Sequence, residues 1–172
     1  MRIFFFNAIL LVMVSCGVAR VNYDYDNKTD FTSYSTYNYF SDMETGLSEL
    51  DEKRLMDAMD ATLGEKGYIF AEEPDVFINI KSSVFRSQPA NNVGVGLGGG
   101  GGNIGGGVSI GIPVGGPKLT RKLQIDIVDA NKDILIWQAI SESPFREGDT
   151  PIQKSEKLQA VVDKIFNKYP PK

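Results

Sequence analysis

The chain has a single cysteine, Cys16, and its setting removes the first fifteen residues from any fold. Arg2 supplies a positive charge, Ile3 to Val14 form a short apolar run broken only by Asn7, and the small Ser15 precedes the thiol. That order describes a secretory signal peptide, residues 1–15, ending at the lipidation site Met13-Val14-Ser15-Cys16. A membrane-spanning helix needs about 20 apolar residues. Gly17, Arg20, Asn22 and Asp24 end this run well short of that. Cys16 is expected to receive a diacylglycerol, become the mature N-terminus and be acylated again on its amine. With that thiol consumed no intrachain disulfide can form, so the 157 residues from Cys16 onward must be held together by packing.

A chain of that length supports one domain with a real core. The net charge of −4 becomes −5 once Arg2 is removed, and no basic cluster offers a footprint for nucleic acid or for anionic headgroups. Anchoring therefore falls to the acyl chains, of which two or three hold firmly where one is marginal. The chain has no histidine. Ser-His-Asp and Cys-His catalysis, Cys/His zinc sites and haem ligation by His or Cys are thereby excluded, and no cofactor is expected. Any enzyme would have to work with carboxylates, Lys, Tyr, Ser or Thr.

Residues 16–20 make a lipidated N-terminus with a very short tether, and a single domain is expected over 21–169. Val21, Tyr23 and Tyr25 alternate with Asn22, Asp24 and Asp26, the pattern of a half-buried strand. A second extended piece is expected at Ser35 to Phe40. Ser48 to Lys66 reads as a helix: Ser48 with Asp51 resembles a capping box, Leu55, Met56, Met59 and Leu63 share one side, and Gly67 suits the left-handed position past the end. Asp51, Lys53, Asp57 and Asp60 fall mainly on its polar side. Strands follow at Val76 to Phe85, Lys118 to Asp129 and Ile134 to Ile140, the last two joined by the turn Ala130-Asn131-Lys132-Asp133. Thr150, Pro151 and Gln153 then start a second helix with a complete capping box. Its apolar stripe is Leu158, Val161, Val162, Ile165, Phe166 and Tyr169. Grouped strands with two helices predict an α+β two-layer sandwich, mostly antiparallel, with both helices on one face.

Thirteen of the eighteen glycines lie between Gly94 and Gly116. Val93, Val95 and Leu97, then Val108, Ile110, Ile112 and Val114, alternate along the two arms, whereas Gly98 to Gly102 has no side chains. Glycine in a strand costs roughly 0.5 to 1 kcal/mol more to order than alanine. The expectation is a long Gly-rich hairpin, 93–117, whose arms extend the Val76 and Lys118 strands and whose tip is frayed. A second reading gives its bare Val and Ile faces to an envelope protein partner. Gly94-x-Gly96-x-x-Gly99 matches the dinucleotide fingerprint only formally, since no helix follows to receive a pyrophosphate. Pro117 stands where a phosphate-binding loop at Gly111 to Gly116 would need lysine.

Two further constellations have ordinary explanations. Asp24, Asp26 and Asp30 resemble a calcium loop, but Lys28, Thr29 and Ser35 occupy positions that need an oxygen ligand, glycine and glutamate. Asp126, Asp129 and Glu142 could supply paired carboxylates for glycoside chemistry if the fold brought them together. Trp137 reads as core rather than as a platform for sugar.

The lipobox, Val21-Asn22-Tyr23-Asp24-Tyr25-Asp26 with Asp30-Phe31 and Thr36-Tyr37, Leu63 to Gly67 with Tyr68, Pro74-Asp75-Val76, the glycine tract, Leu123 to Ala130, and Trp137 follow one another in a recognisable order. In this the chain resembles a bacterial envelope lipoprotein family known as domain of unknown function 4136. The resemblance implies an α+β domain on an outer-membrane lipoprotein, with no established activity and no catalytic residues to carry over. Many members follow the tryptophan with a basic residue and glycine, whereas here Gln138 and Ala139 stand there. The function expected is that of a lipid-anchored envelope protein serving as a structural or binding module. The alternative is a carboxylate enzyme acting on cell-wall or surface polymers. Gly17 is not the aspartate that retains some lipoproteins in the inner membrane, and no acidic run follows Cys16. The periplasmic face of the outer membrane is therefore expected.

Overall fold

The computed structural model describes residues 19–87, 92–94, 111–113 and 118–171. The signal peptide 1–15, Cys16 and most of the 16–20 tether lie outside the described residues.

Among the described residues the chain forms eight strands and two α-helices. They are β1 (Arg20–Tyr25), β2 (Thr36–Tyr39), α1 (Glu49–Glu65), β3 (Ile69–Phe70), β4 (Val76–Ser87), β5 (Asn92–Gly94), β6 (Gly111–Pro113), β7 (Lys118–Asp129), β8 (Ile134–Pro144) and α2 (Pro151–Phe166). Six of the strands make one open sheet in the order β1-β8-β7-β4-β2-β3. The β1–β8, β8–β7 and β7–β4 pairs are antiparallel, whereas β2 runs parallel to both β4 and β3. The sheet is therefore mixed. A parallel neighbour requires a crossover, and α1 supplies it between β2 and the β3–β4 segment.

Alternation decides which face is covered. Val76, Ile78 and Ile80 on β4, Leu123, Ile125 and Ile127 on β7, and Trp137 and Ala139 on β8 are all buried on the side of the helices. Leu55, Met59 and Leu63 of α1 and Leu158, Val162, Ile165 and Phe166 of α2 complete the same core, which establishes the two-layer α+β architecture. Trp137 lies at its centre, stacked on Phe166 at 5.8 Å between ring centroids and meeting Tyr169 edge-on at 5.0 Å. Tyr169 stays buried past the end of α2 and is joined to the Tyr68 hydroxyl at 3.1 Å.

The helix caps behave differently. At α2 the Thr150 hydroxyl accepts from Gln153 N–H and the Gln153 side chain accepts from Thr150 N–H, so the reciprocal box is complete. At α1 the Ser48 hydroxyl accepts from Asp51 N–H, but the Asp51 carboxylate turns away from the cap to Arg54 and Arg121. Asp51 is buried rather than on a polar face. The helical period places Asp51 one turn before Leu55 on the inward stripe, and Arg121 projects into the same layer from the end of β7. Gly67 has the expected positive φ of 88°.

Two strand ends move, and β4 is the first, running past Phe85 to Ser87. β8 runs on to Pro144, past the apolar stretch, because Ser141 is fully buried opposite Leu123 and its hydroxyl donates to the Leu123 carbonyl. The β7–β8 register slips between Ile127 and Val128, leaving Ile136 as the extra residue of a bulge. Of the Gly-rich hairpin 93–117, only the short ladder of β5 with β6 is described, with Val93 opposite Ile112, and it is separate from the six-stranded sheet. The remainder of that expected hairpin lies outside the described residues.

Candidate functional site

The helices cover one face of the sheet, and the opposite face is built from the other half of each alternating strand. Register places Asp24, Gln138, Asp126 and Asn79 side by side across β1, β8, β7 and β4. At roughly 4.8 Å per strand this row spans about 14 Å. Asp126 is its centre: Gln138 donates to it at 2.7 Å and Gln124 at 3.0 and 3.1 Å. On one side lies an apolar row, Leu135 opposite Val128 opposite Phe77, extended by Phe40 stacked on Phe77 at 5.1 Å. On the other side are Asn22, Ile140, Gln124 and Lys81. A shallow cavity of about 210 Å³ opens at the β1–β8 end, where Asp24, Asp26, Leu135 and Gln138 contribute to its walls. Trp137 backs it but is 1% exposed, so the indole is core and offers no stacking platform.

The candidate carboxylates do not converge. Asp126 lies on the face opposite the helices, and Glu142 is exposed four residues along β8 from the partner of Asp126, about 13 Å of strand away. Asp129 belongs to the β7–β8 turn and is buried. It accepts from the Tyr34 hydroxyl at 2.7 Å, from the N–H groups of Asn131 and Lys132 at 2.9 Å each, and from Lys132 Nζ at 3.0 Å. Burial pushes this carboxyl up, but the Tyr34 bond and the turn N–H groups outweigh it and hold it at about 2. Burial, with the hydrogen bond to Asp129, pushes the Tyr34 hydroxyl up to about 12. These are the properties of a structural clamp.

The acidic residues after β1 are likewise occupied by turns. Asp26 accepts from Lys28 N–H at 3.0 Å and Thr29 Oγ1 at 3.1 Å; Asp30 caps a single 3-10 turn by accepting from Thr32 N–H at 3.0 Å. Among the described residues no three acidic, histidine or cysteine side chains group closely enough to hold a metal.

Two clusters escaped the sequence reading. Asp51 accepts from Arg121 at 2.9 Å and Arg54 at 2.8 Å, and Arg121 lies 4.2 Å above the Phe145 ring. Burial pushes the Asp51 carboxyl up, and the Arg121 hydrogen bond and charge overcome that and lower it. Asp60 accepts from both Tyr37 at 2.8 Å and Tyr39 at 2.6 Å, tying β2 to α1. The only local hint of the second cluster was the two-residue spacing of the tyrosines.

With this geometry in hand, the family model for the Domain of unknown function (DUF4136) matches residues 21–171. The chain belongs to that family. DUF4136 thus spans every described strand beyond the first residue of β1, and both helices. Among solved structures the chain is similar to a PDZ domain protein from Parabacteroides distasonis ATCC 8503, at 13% identity and a TM-score of 0.57. That match covers 91% of this chain and 37% of the other, so the DUF4136 chain spans little more than a third of that protein's length. The PelC dodecamer from Paraburkholderia phytofirmans matches at 8% identity and a TM-score of 0.49, over 87% of this chain and 95% of that one. At 13% identity the likeness to the PDZ domain protein is one of fold alone. No curated protein matches the chain.

Proposed function

We propose that this DUF4136 protein is a lipid-anchored binding module of the cell envelope, held by acyl chains on Cys16 at the periplasmic face of the outer membrane, and not an enzyme. The lipobox Met13-Val14-Ser15-Cys16 carries the reading. No helix among the described residues is long and apolar enough to cross a membrane, so the acyl chains are the attachment this reading relies on. The sheet face opposite the helices supports a binding role: it sets hydrogen-bonding side chains in a row beside an apolar band, the mixture from which recognition surfaces are made. The wide separation of Asp126 and Glu142, and the clamp around Asp129, argue against carboxylate catalysis on polymers.

Fractionation of cells expressing Cys16→Ser tests the anchor. The variant is expected to lose its acylated mass and leave the membrane fraction. An unchanged mass and unchanged membrane association would overturn the proposal. Protease added to intact cells should spare the wild-type chain, and digestion there would overturn the assignment to the periplasmic face.

A further inference from the structure

β1 is the terminal strand on its side of the sheet, and among the described residues nothing pairs with its outer edge. The phase of its hydrogen bonds can be read directly. Asp26 N–H donates to the Ile136 carbonyl, and the β1–β8 register pairs Asp24 with Gln138 and Asn22 with Ile140 in continuation of that contact. In an antiparallel ladder the residues that exchange bonds alternate. Arg20, Asn22 and Asp24 therefore turn their backbone groups inward to β8, and Val21, Tyr23 and Tyr25 turn theirs outward. The Tyr25 N–H has a local substitute, the Asp24 carboxylate at 2.9 Å. Val21 and Tyr23 have none among the described residues. An edge of this kind is a template for another strand.

The side chains say which strand fits. We propose that the edge pairs with β1 of a second copy of this chain, antiparallel about a two-fold axis at Asn22, joining two six-stranded sheets into one. In this register Val21 lies opposite Tyr23 of the second copy, so the outward-turned residues exchange backbone bonds as their phase requires. Arg20, the one basic residue of β1, falls opposite Asp24 in both halves of the pair. Ala19 falls opposite Tyr25, which is 47% exposed in the single chain. Moving the axis one pairing step, to Tyr23, would set Arg20 opposite Asp26, whose carboxylate is already held by Lys28 N–H and Thr29 Oγ1. Moving it two steps, to Asp24, would set the two Asp24 side chains against each other, and like charges directly opposite destabilise a ladder. The inference does not rest on lipidation. It concerns an edge that exists whether or not Cys16 carries lipid.

A two-fold axis at Asn22 has a simple readout. Asn22 and its own copy form a non-hydrogen-bonded pair, with Cα atoms about 4.5 Å apart, inside the range a disulfide spans. Full-length Asn22→Cys in its own membranes should give a disulfide-linked dimer under mild oxidation. Wild type, whose one cysteine is Cys16, provides the baseline, and Lys53→Cys on the exposed side of α1 provides a folded control. Adding Arg20→Asp should cut the dimer yield about tenfold, since two attractive pairs become repulsive. Adding Asp24→Arg to that double variant should restore it. Absence of an Asn22→Cys dimer above the wild-type baseline would overturn the inference. So would an equal yield from Lys53→Cys, or a yield indifferent to Arg20→Asp.

Discussion

Asp129 is where the fold should be most sensitive to acid. Its side chain is 3% exposed and accepts four hydrogen bonds, one from Tyr34 across the chain and three from its own turn and Lys132. A carboxyl held at about 2, against an ordinary 3.8, stabilises the native state by about 2.4 kcal/mol at neutral pH, taking about 1.36 kcal/mol per pKa step. The native value is the lower one, so this contribution is complete above the unfolded value near 4. It falls as the pH drops through the native value near 2; about half is gone at pH 3 and most of it at pH 2. Asp129→Asn keeps the size of the side chain and removes the charge. Urea unfolding of both proteins at pH 7 should show the variant less stable by about 2 to 3 kcal/mol. The gap should narrow steadily between pH 4 and pH 2. A gap that stays constant across that range would show that the charge is irrelevant and that only packing is lost. A gap below about 0.5 kcal/mol at pH 7 would show that the clamp does not stabilise the turn at all.

Two further outcomes follow from the core and from one close approach. Leu63→Ala on α1 and Ile165→Ala on α2, both at positions no more than 1% exposed, should each cost about 2 to 5 kcal/mol in denaturant unfolding; a loss below roughly 0.5 kcal/mol would place them at the surface. Gly46 has φ of 69°, and a Cβ there would lie 2.6 Å from the Ser82 carbonyl oxygen. Gly46→Ala should therefore destabilise by about 2 to 3 kcal/mol through strain and displacement of β4, and a neutral thermal melt would contradict it.

Local periodicity and capping chemistry were enough to place both helices and the long strands. The α2 stripe from Leu158 to Tyr169 is buried throughout, and the Lys118–Asp129 bounds of β7 agree with the alternation of Leu123, Ile125 and Ile127. These features are legible because each depends on residues three or four apart on a helix, or two apart on a strand. Ser141 to Pro144 carries no such pattern, and its place in β8 depends on pairing with β7, so the strand's end was invisible locally.

Charged residues required the whole fold. Asp51, Asp60 and Asp129 look alike in a list of residues. One is buried between arginines from α1 and β7, one receives two tyrosine hydroxyls from β2, and one clamps a turn against Tyr34, ninety-five residues away along the chain. The carboxylate partners lie on other elements, and no spacing rule reaches that far. The same is true of the sheet order. Hydrophobic alternation specifies that a strand has one face to bury but not which strand lies beside it. The parallel insertion of β2 between β4 and β3, and with it the place of β1 at the end of the described sheet, follows from how the strands pack beneath α1 and α2 over the common apolar face.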